Sequence, residues 1–135
     1  MSKEPQPYPS VTQVLAAVGL GYRGPQTPEA DAARARGTAL HAAIRYHAEG
    51  DLDEASLHPD LKPGFDAYLA FLAETGHQPL HSELEVRHEG YGYLGHIDRV
   101  GDQQGARVLI DWKSTDSVDT RAARYQLAAY RLAYE

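Results

Sequence analysis

The stretch Tyr93-Leu94-Gly95-His96-Ile97-Asp98, followed by Val108-Leu109-Ile110-Asp111-Trp112-Lys113, decides how this chain reads. Each segment has the apolar make-up of a short strand and ends in a carboxylate, and the second adds a lysine just beyond its acid. Successive side chains of a strand point to opposite faces, so Asp111 and Lys113 point the same way. An acid on one strand beside an acid-x-lysine on the next suits metal-assisted phosphodiester cleavage. The carboxylates hold a hard divalent cation, and the ammonium lies near the attacking water and the scissile phosphate.

Around this pair the sequence predicts a three-stranded antiparallel meander, with strands at about Leu80–His88, Tyr93–Val100 and Arg107–Lys113. Short connections at Glu89-Gly90 and Asp102–Gly105 join them as hairpins. Strict alternation gathers Leu84, Val86, Ile97, Val108, Ile110 and Trp112 on one face. Glu83, Glu85, His96, Asp98, Asp111 and Lys113 then share the other. Pairing Gly101 with Ala106 sets Asp98 opposite Leu109 and diagonal to Asp111, at about 7–8 Å. A slip of one residue would send the two acids to opposite faces.

Helices are expected on either side. Ser10-Val11-Thr12-Gln13 fits a capping box whose helix stops at Gly19, with a loop over Gly19–Gly24. Thr27-Pro28-Glu29 opens a helix running to about His47, with Gly37 as its weak point. An acidic connection spans Glu49–Pro63. Phe65, Tyr68, Leu69 and Leu72 keep helical spacing over 64–75, ended by Gly76, and a last helix runs from about Thr120, capped by Asp119 or Thr120. The fold class is therefore α/β (α+β), a single domain over 1–135.

Composition bounds the function. The chain has no cysteine, which excludes disulfides, thiolate zinc sites and cysteine-ligated iron–sulfur clusters. It has no apolar run long enough to span a bilayer, and its polar, proline-rich opening is not a secretory signal, which points to the cytoplasm. The net charge of −6 argues against broad adhesion to nucleic acid but leaves room for a local basic track. Arg36, Arg45 and Arg124 are the candidate phosphate contacts.

Asp-x-Lys carries little alone, since Asp60-Leu61-Lys62 repeats it inside a polar loop. Taken in isolation Asp111 and Lys113 also fit a surface ion pair. Four segments in order say more: Arg36-Gly37-Thr38-Ala39-Leu40-His41, Gly95-His96-Ile97-Asp98, Asp111-Trp112-Lys113 and Gln126-Leu127-Ala128-Ala129-Tyr130. Together they resemble the PD-(D/E)XK nucleases of the RecB-like exonuclease branch. Tyr8-Pro9-Ser10-Val11-Thr12 resembles the opening of phage-type and mitochondrial single-strand exonucleases of that branch.

The resemblance implies a DNA exonuclease of bacterial or phage type that uses Mg²⁺ or Mn²⁺ on single- or double-stranded DNA. It implies His41, Asp98 and Asp111 as metal ligands and Lys113 as the group that positions water and stabilises developing charge. One imidazole with carboxylates suits Mg²⁺ or Mn²⁺ better than zinc. Gln126 and Tyr130, four apart on one helical face, would support the site or touch DNA; ordinary packing of that helix on the sheet is the other reading. Many relatives carry one more acid, here Glu83 rather than Glu85, with a solvated strand edge as the alternative. The rival class is a non-catalytic nucleic-acid-binding or assembly module.

In one respect the chain departs from the family pattern. The restriction-endonuclease-like core adds a further strand after the last helix, and here the sequence stops inside that helix. The expected sheet keeps one edge open, so the chain is a fragment, a minimal variant, or a protomer whose edge a second copy covers.

Overall fold

The structure, a computed structural model, describes residues 8–21, 26–114 and 118–135. The polar opening over 1–7 and part of the expected Gly19–Gly24 loop lie outside the described residues. Helix α1 (Val11–Ala17) starts at the expected capping box: Ser10 Oγ accepts from the Gln13 N–H, and the Gln13 side chain accepts from the Ser10 N–H. Helix α2 (Pro28–Glu49) is capped by Thr27, whose hydroxyl accepts from the Ala30 N–H, and is closed by Gly50 at a φ of 77°. It runs through Gly37 without a break. The glycine is there for close approach: a Cβ at Gly37 would meet Ser114 Oγ at 2.7 Å.

The acidic connection holds two 3₁₀ turns, Glu54–Ser56 and Pro59–Leu61, before α3 (Lys62–Thr75). Three strands follow, β1 (Gln78–His88), β2 (Tyr93–Gln103) and β3 (Ala106–Ile110), in the order β1-β2-β3 and all antiparallel. Helix α4 (Thr120–Tyr134) begins at Asp119, which accepts from the Ala122 N–H. The domain is an α+β fold, a three-stranded antiparallel meander flanked by four helices. Among the described residues no helix is long and apolar enough to cross a membrane.

Two apolar clusters sit on opposite faces of the sheet. Val11 of α1 and Tyr130 of α4 pack with Val86, Ile97 and Val100, while Ala43 and Ile44 of α2 pack with Phe65 and Tyr68 of α3. Trp112 joins the second cluster, not the face of Leu84, Val86 and Ile97 that strict alternation assigns it. The reason lies in β2. Ile97 and Val100 are an odd number of residues apart yet share one cluster, so the alternation inverts between them, at Asp98-Arg99. Opposite this point on β1, Glu83 lies between the pairs Ser82↔Arg99 and Leu84↔Ile97 at a φ of 55°, and the register of β1 shifts separately between Pro79 and His81.

The second hairpin is also registered differently from expectation. Gly101 pairs with Val108 rather than Ala106, and the chain reverses through Gln104 and Gly105, both at positive φ. This two-residue shift keeps the parity of β3 but moves Asp111 from a diagonal position to the one directly beyond the pair Arg99↔Ile110, facing Asp98.

Candidate active site

The site forms where β3 leaves β2. The ladder stops at Arg99↔Ile110, so Asp111 and Lys113 lie past the end of the strand rather than within it. Further along the same side of β2, Ser10 bridges Leu94, and the Leu94 N–H donates to the Pro9 carbonyl at 3.0 Å. Between these two neighbours a gap opens at Asp98. The Trp112 N–H, freed from the ladder, donates to Asp98 Oδ2 at 2.9 Å. A side chain has replaced a backbone carbonyl as the acceptor, which is how the strand ends and how Asp98 is held.

Around that fork the residues singled out by sequence converge. Asp111, with only 10% of its side chain exposed, adjoins Asp98, and Lys113 Nζ lies 2.6 Å from Asp111 Oδ2. The same ammonium donates to Gln126 Oε1 at 3.2 Å, and the Gln126 amide donates to the Tyr130 hydroxyl at 3.0 Å. Helix α4 thus grips Lys113 through a two-step relay. His41 Nδ1, from α2, stands 3.8 Å from Asp98 Oδ2.

Electrostatics follow from the burial. Asp98 is pushed up to about 7, first by removal from water and next by the neighbouring Asp111 carboxylate; the Trp112 N–H and Lys113 pull the other way. Burial also raises the Tyr130 phenol, with the Asp111 and Asp98 charges adding to it. Two acids pressed together out of water favour a positive partner. Lys113 supplies one on the Asp111 side.

A profile of the PD-(D/E)XK nuclease superfamily matches residues 60–135. The chain belongs to that superfamily. The matched region carries Asp98, Asp111, Lys113, Gln126 and Tyr130, while His41 on α2 precedes it. No curated protein matches the chain significantly. Nucleases of this superfamily hydrolyse phosphodiester bonds, and the fork between β2 and β3 is where this member keeps its two acids and lysine.

Members of the superfamily generally use divalent metals, and the donors here fit one. Asp111 Oδ2 is buried without a hydrogen bond, and the Lys113 ammonium lies 2.6 Å from it. Carboxylates at Asp98 and Asp111 with an imidazole at His41 are a hard, oxygen-rich donor set. Among the described residues, however, no three such side chains stand in a ready coordinating arrangement.

The other candidates are placed less centrally. Glu83 lines a small cavity with His41 and Asp98, but its carboxylate is engaged by Arg45 Nη1 at 2.7 Å. That ion pair also occupies Arg45, whose guanidinium lies 4.8 Å from the Tyr46 ring centre. Glu85 pairs with His96 on the exposed part of β1 and β2. Arg36 is exposed on α2 at the mouth of a larger cavity that Lys113 also lines. Arg124 is exposed on α4.

Two participants escape the sequence reading. One is the Trp112 N–H, invisible because it is backbone. The other is Arg99, wholly buried, with one nitrogen donating to the Tyr68 hydroxyl at 3.0 Å and its guanidinium 5.4 Å from the Trp112 ring centre. An arginine between Ile97 and Val100, directly after Asp98, was its signal, since a cation among apolar strand residues must be held by aromatic faces or paired.

Gly95 of the matching segment has a plain steric role. A Cβ there would stand 2.5 Å from Tyr130 Cε1 and 3.2 Å from Val11 Cγ2. Gly95→Val is expected to lower stability by about 1–3 kcal/mol through overpacking and to push Tyr130 off Gln126. A denaturant midpoint equal to the wild type's would refute that assignment.

Proposed function

We propose that the domain is a Mg²⁺- or Mn²⁺-dependent deoxyribonuclease of the RecB-like, phage-type branch, exonuclease-like in action, serving DNA repair, recombination or phage replication. The observation that carries this reading is the convergence of Asp98, Asp111 and Lys113 at one fork, with α4 holding the lysine through Gln126 and Tyr130. His41, Asp98 and Asp111 hold the ion, which when bound supplies charge stabilisation to the phosphoryl group. Lys113 orients the attacking water and neutralises charge that grows on the phosphate oxygens during in-line displacement. Tyr130 and Gln126 keep the ammonium facing the acids, and Arg36, with Arg124 and Arg45, steers the backbone of the DNA.

The test uses labelled single- and double-stranded DNA with Mg²⁺, Mn²⁺ or chelator, comparing wild type with Asp111→Asn. Metal-dependent cleavage in the wild type, lost in the variant and in chelator, is the expected result. Cleavage that survives chelation sinks the metal mechanism. Tight DNA binding without cleavage under either ion supports instead the non-catalytic module.

A further inference from the structure

We propose that the groove between α2 and α3 receives an unpaired nucleobase of the strand being cut, making the enzyme selective for single-stranded or frayed DNA. The inference rests on the hydrolase reading of the adjoining acids and adds a substrate subsite to it. The groove encloses about 610 Å³. Its inner wall is apolar and aromatic, built from Leu40, Tyr68, Phe71 and Trp112, and its mouth carries Arg36 and Lys113. The lysine belongs to both places, so an occupant of the groove lies beside whatever phosphate is at the fork.

That combination selects a chemistry. A flat apolar face wants a flat apolar ligand, and the cations at the mouth want an anion attached to it; one nucleotide of a strand supplies both. The volume suits a single nucleotide, and a base enters such a groove only once it has left its stack and its pair. The wall is preorganised. Trp112 meets Tyr68 edge-on at 5.4 Å and Phe71 edge-on at 5.7 Å, and Arg99 lies against its ring. The two helices come close at Gly64, where a Cβ would meet the Leu40 side chain at 2.6 Å, and a Cβ at Gly37 would meet Ser114 Oγ at 2.7 Å. Its rim is open where two exposed alanines, Ala33 and Ala67, face it. Asp60 is the one acid among the described lining residues; it is exposed, 3.6 Å from His58 Nδ1, and is an acceptor for a ring N–H of a base.

Trp112 is the chain's sole tryptophan, so its fluorescence reports the groove directly. The wild-type chain in Ca²⁺ buffer is titrated with a short single-stranded oligothymidylate and with an abasic strand of equal length. The same titrations are run on the double variant Ala33→Leu, Ala67→Leu. The oligothymidylate is expected to change Trp112 emission and to bind about 5- to 100-fold more tightly than the abasic strand, the range set by one stacked base. The filled variant is expected to lose that difference while hydrolysing a small chromogenic phosphodiester as the wild type does. Equal affinity for the abasic strand, a silent Trp112, or a variant that still discriminates overturns the subsite. Base-dependent binding with no hydrolysis of any diester by the wild type keeps the subsite and removes the hydrolase. Hydrolysis with no base dependence does the reverse.

Discussion

Lys113→Met is expected to lower metal-dependent turnover by about 10²–10³-fold, with a much smaller effect on KM. The substitution keeps the length of the stem and removes only the ammonium, which the structure sets 2.6 Å from Asp111 Oδ2 and 3.2 Å from Gln126 Oε1. Charge that is neutralised mainly in the transition state appears in turnover, not in binding. The relay behind the lysine gives graded expectations. Gln126→Ala frees the ammonium to lie anywhere around Asp111, and Tyr130→Phe leaves the Gln126 amide without its acceptor. Each should cost roughly 10–100-fold, the scale of losing a partner that orients a reacting group. Single-turnover rates with Mn²⁺ measure all three. Wild-type turnover in Lys113→Met would end the assignment of that lysine to catalysis.

The second large effect concerns stability and pH in the chelated protein. Asp98 is raised in the fold to about 7 from an ordinary value of 3.8, chiefly by burial and then by Asp111. The folded state therefore binds a proton that the unfolded state releases, and stability falls as pH rises from about 4 through 7. Fully developed, the loss is roughly 2–4 kcal/mol, from about 1.4 kcal/mol per pH unit of displacement with allowance for residual solvent contact. His77 works in the opposite sense: burial and the Arg99 charge lower it, so its contribution is fully present above the ordinary histidine value and is lost as pH falls below it. The difference between wild type and Asp98→Asn isolates the carboxyl. Asparagine keeps an acceptor for the Trp112 N–H and removes the charge, so the variant should be the more stable protein at pH 8 and should converge on wild type near pH 4. Millimolar Mn²⁺ should reverse the order at pH 8 by stabilising wild type alone. Chelated proteins whose stabilities track each other across this range would show that Asp98 is not strained by its surroundings.

Much of the site could be read in the chain because its parts are local. The caps at Ser10, Thr27 and Asp119, the glycine stop at Gly76, and the two hairpins are short-range features whose causes lie within a few residues. Parity within a strand puts Asp111 and Lys113 on one side, and helical spacing puts Gln126 beside Tyr130; both relations survive in the structure. The order of the segments did the rest, and the superfamily match over 60–135 covers the same acids and lysine.

What tertiary structure decided is everything that depends on two elements meeting. Alternation predicts one apolar face containing Trp112, yet the inversion at Asp98-Arg99 and the end of β3 at Ile110 turn Trp112 into the α2–α3 cluster. The two-residue shift of the hairpin kept the side-chain parity while carrying Asp111 to a position facing Asp98, a change to which the apolar pattern is blind because its period is two. Glu83 and Arg45, separate candidates along the chain, neutralise each other across 2.7 Å. Gly37, a weak point for an isolated helix, is where α2 closes on Ser114. Residue types and spacings determined which groups this protein has to work with. Where those groups lie relative to one another, and that Asp98 is pressed out of water against Asp111, was decided by packing, because distance and burial belong to the assembled elements rather than to any one of them.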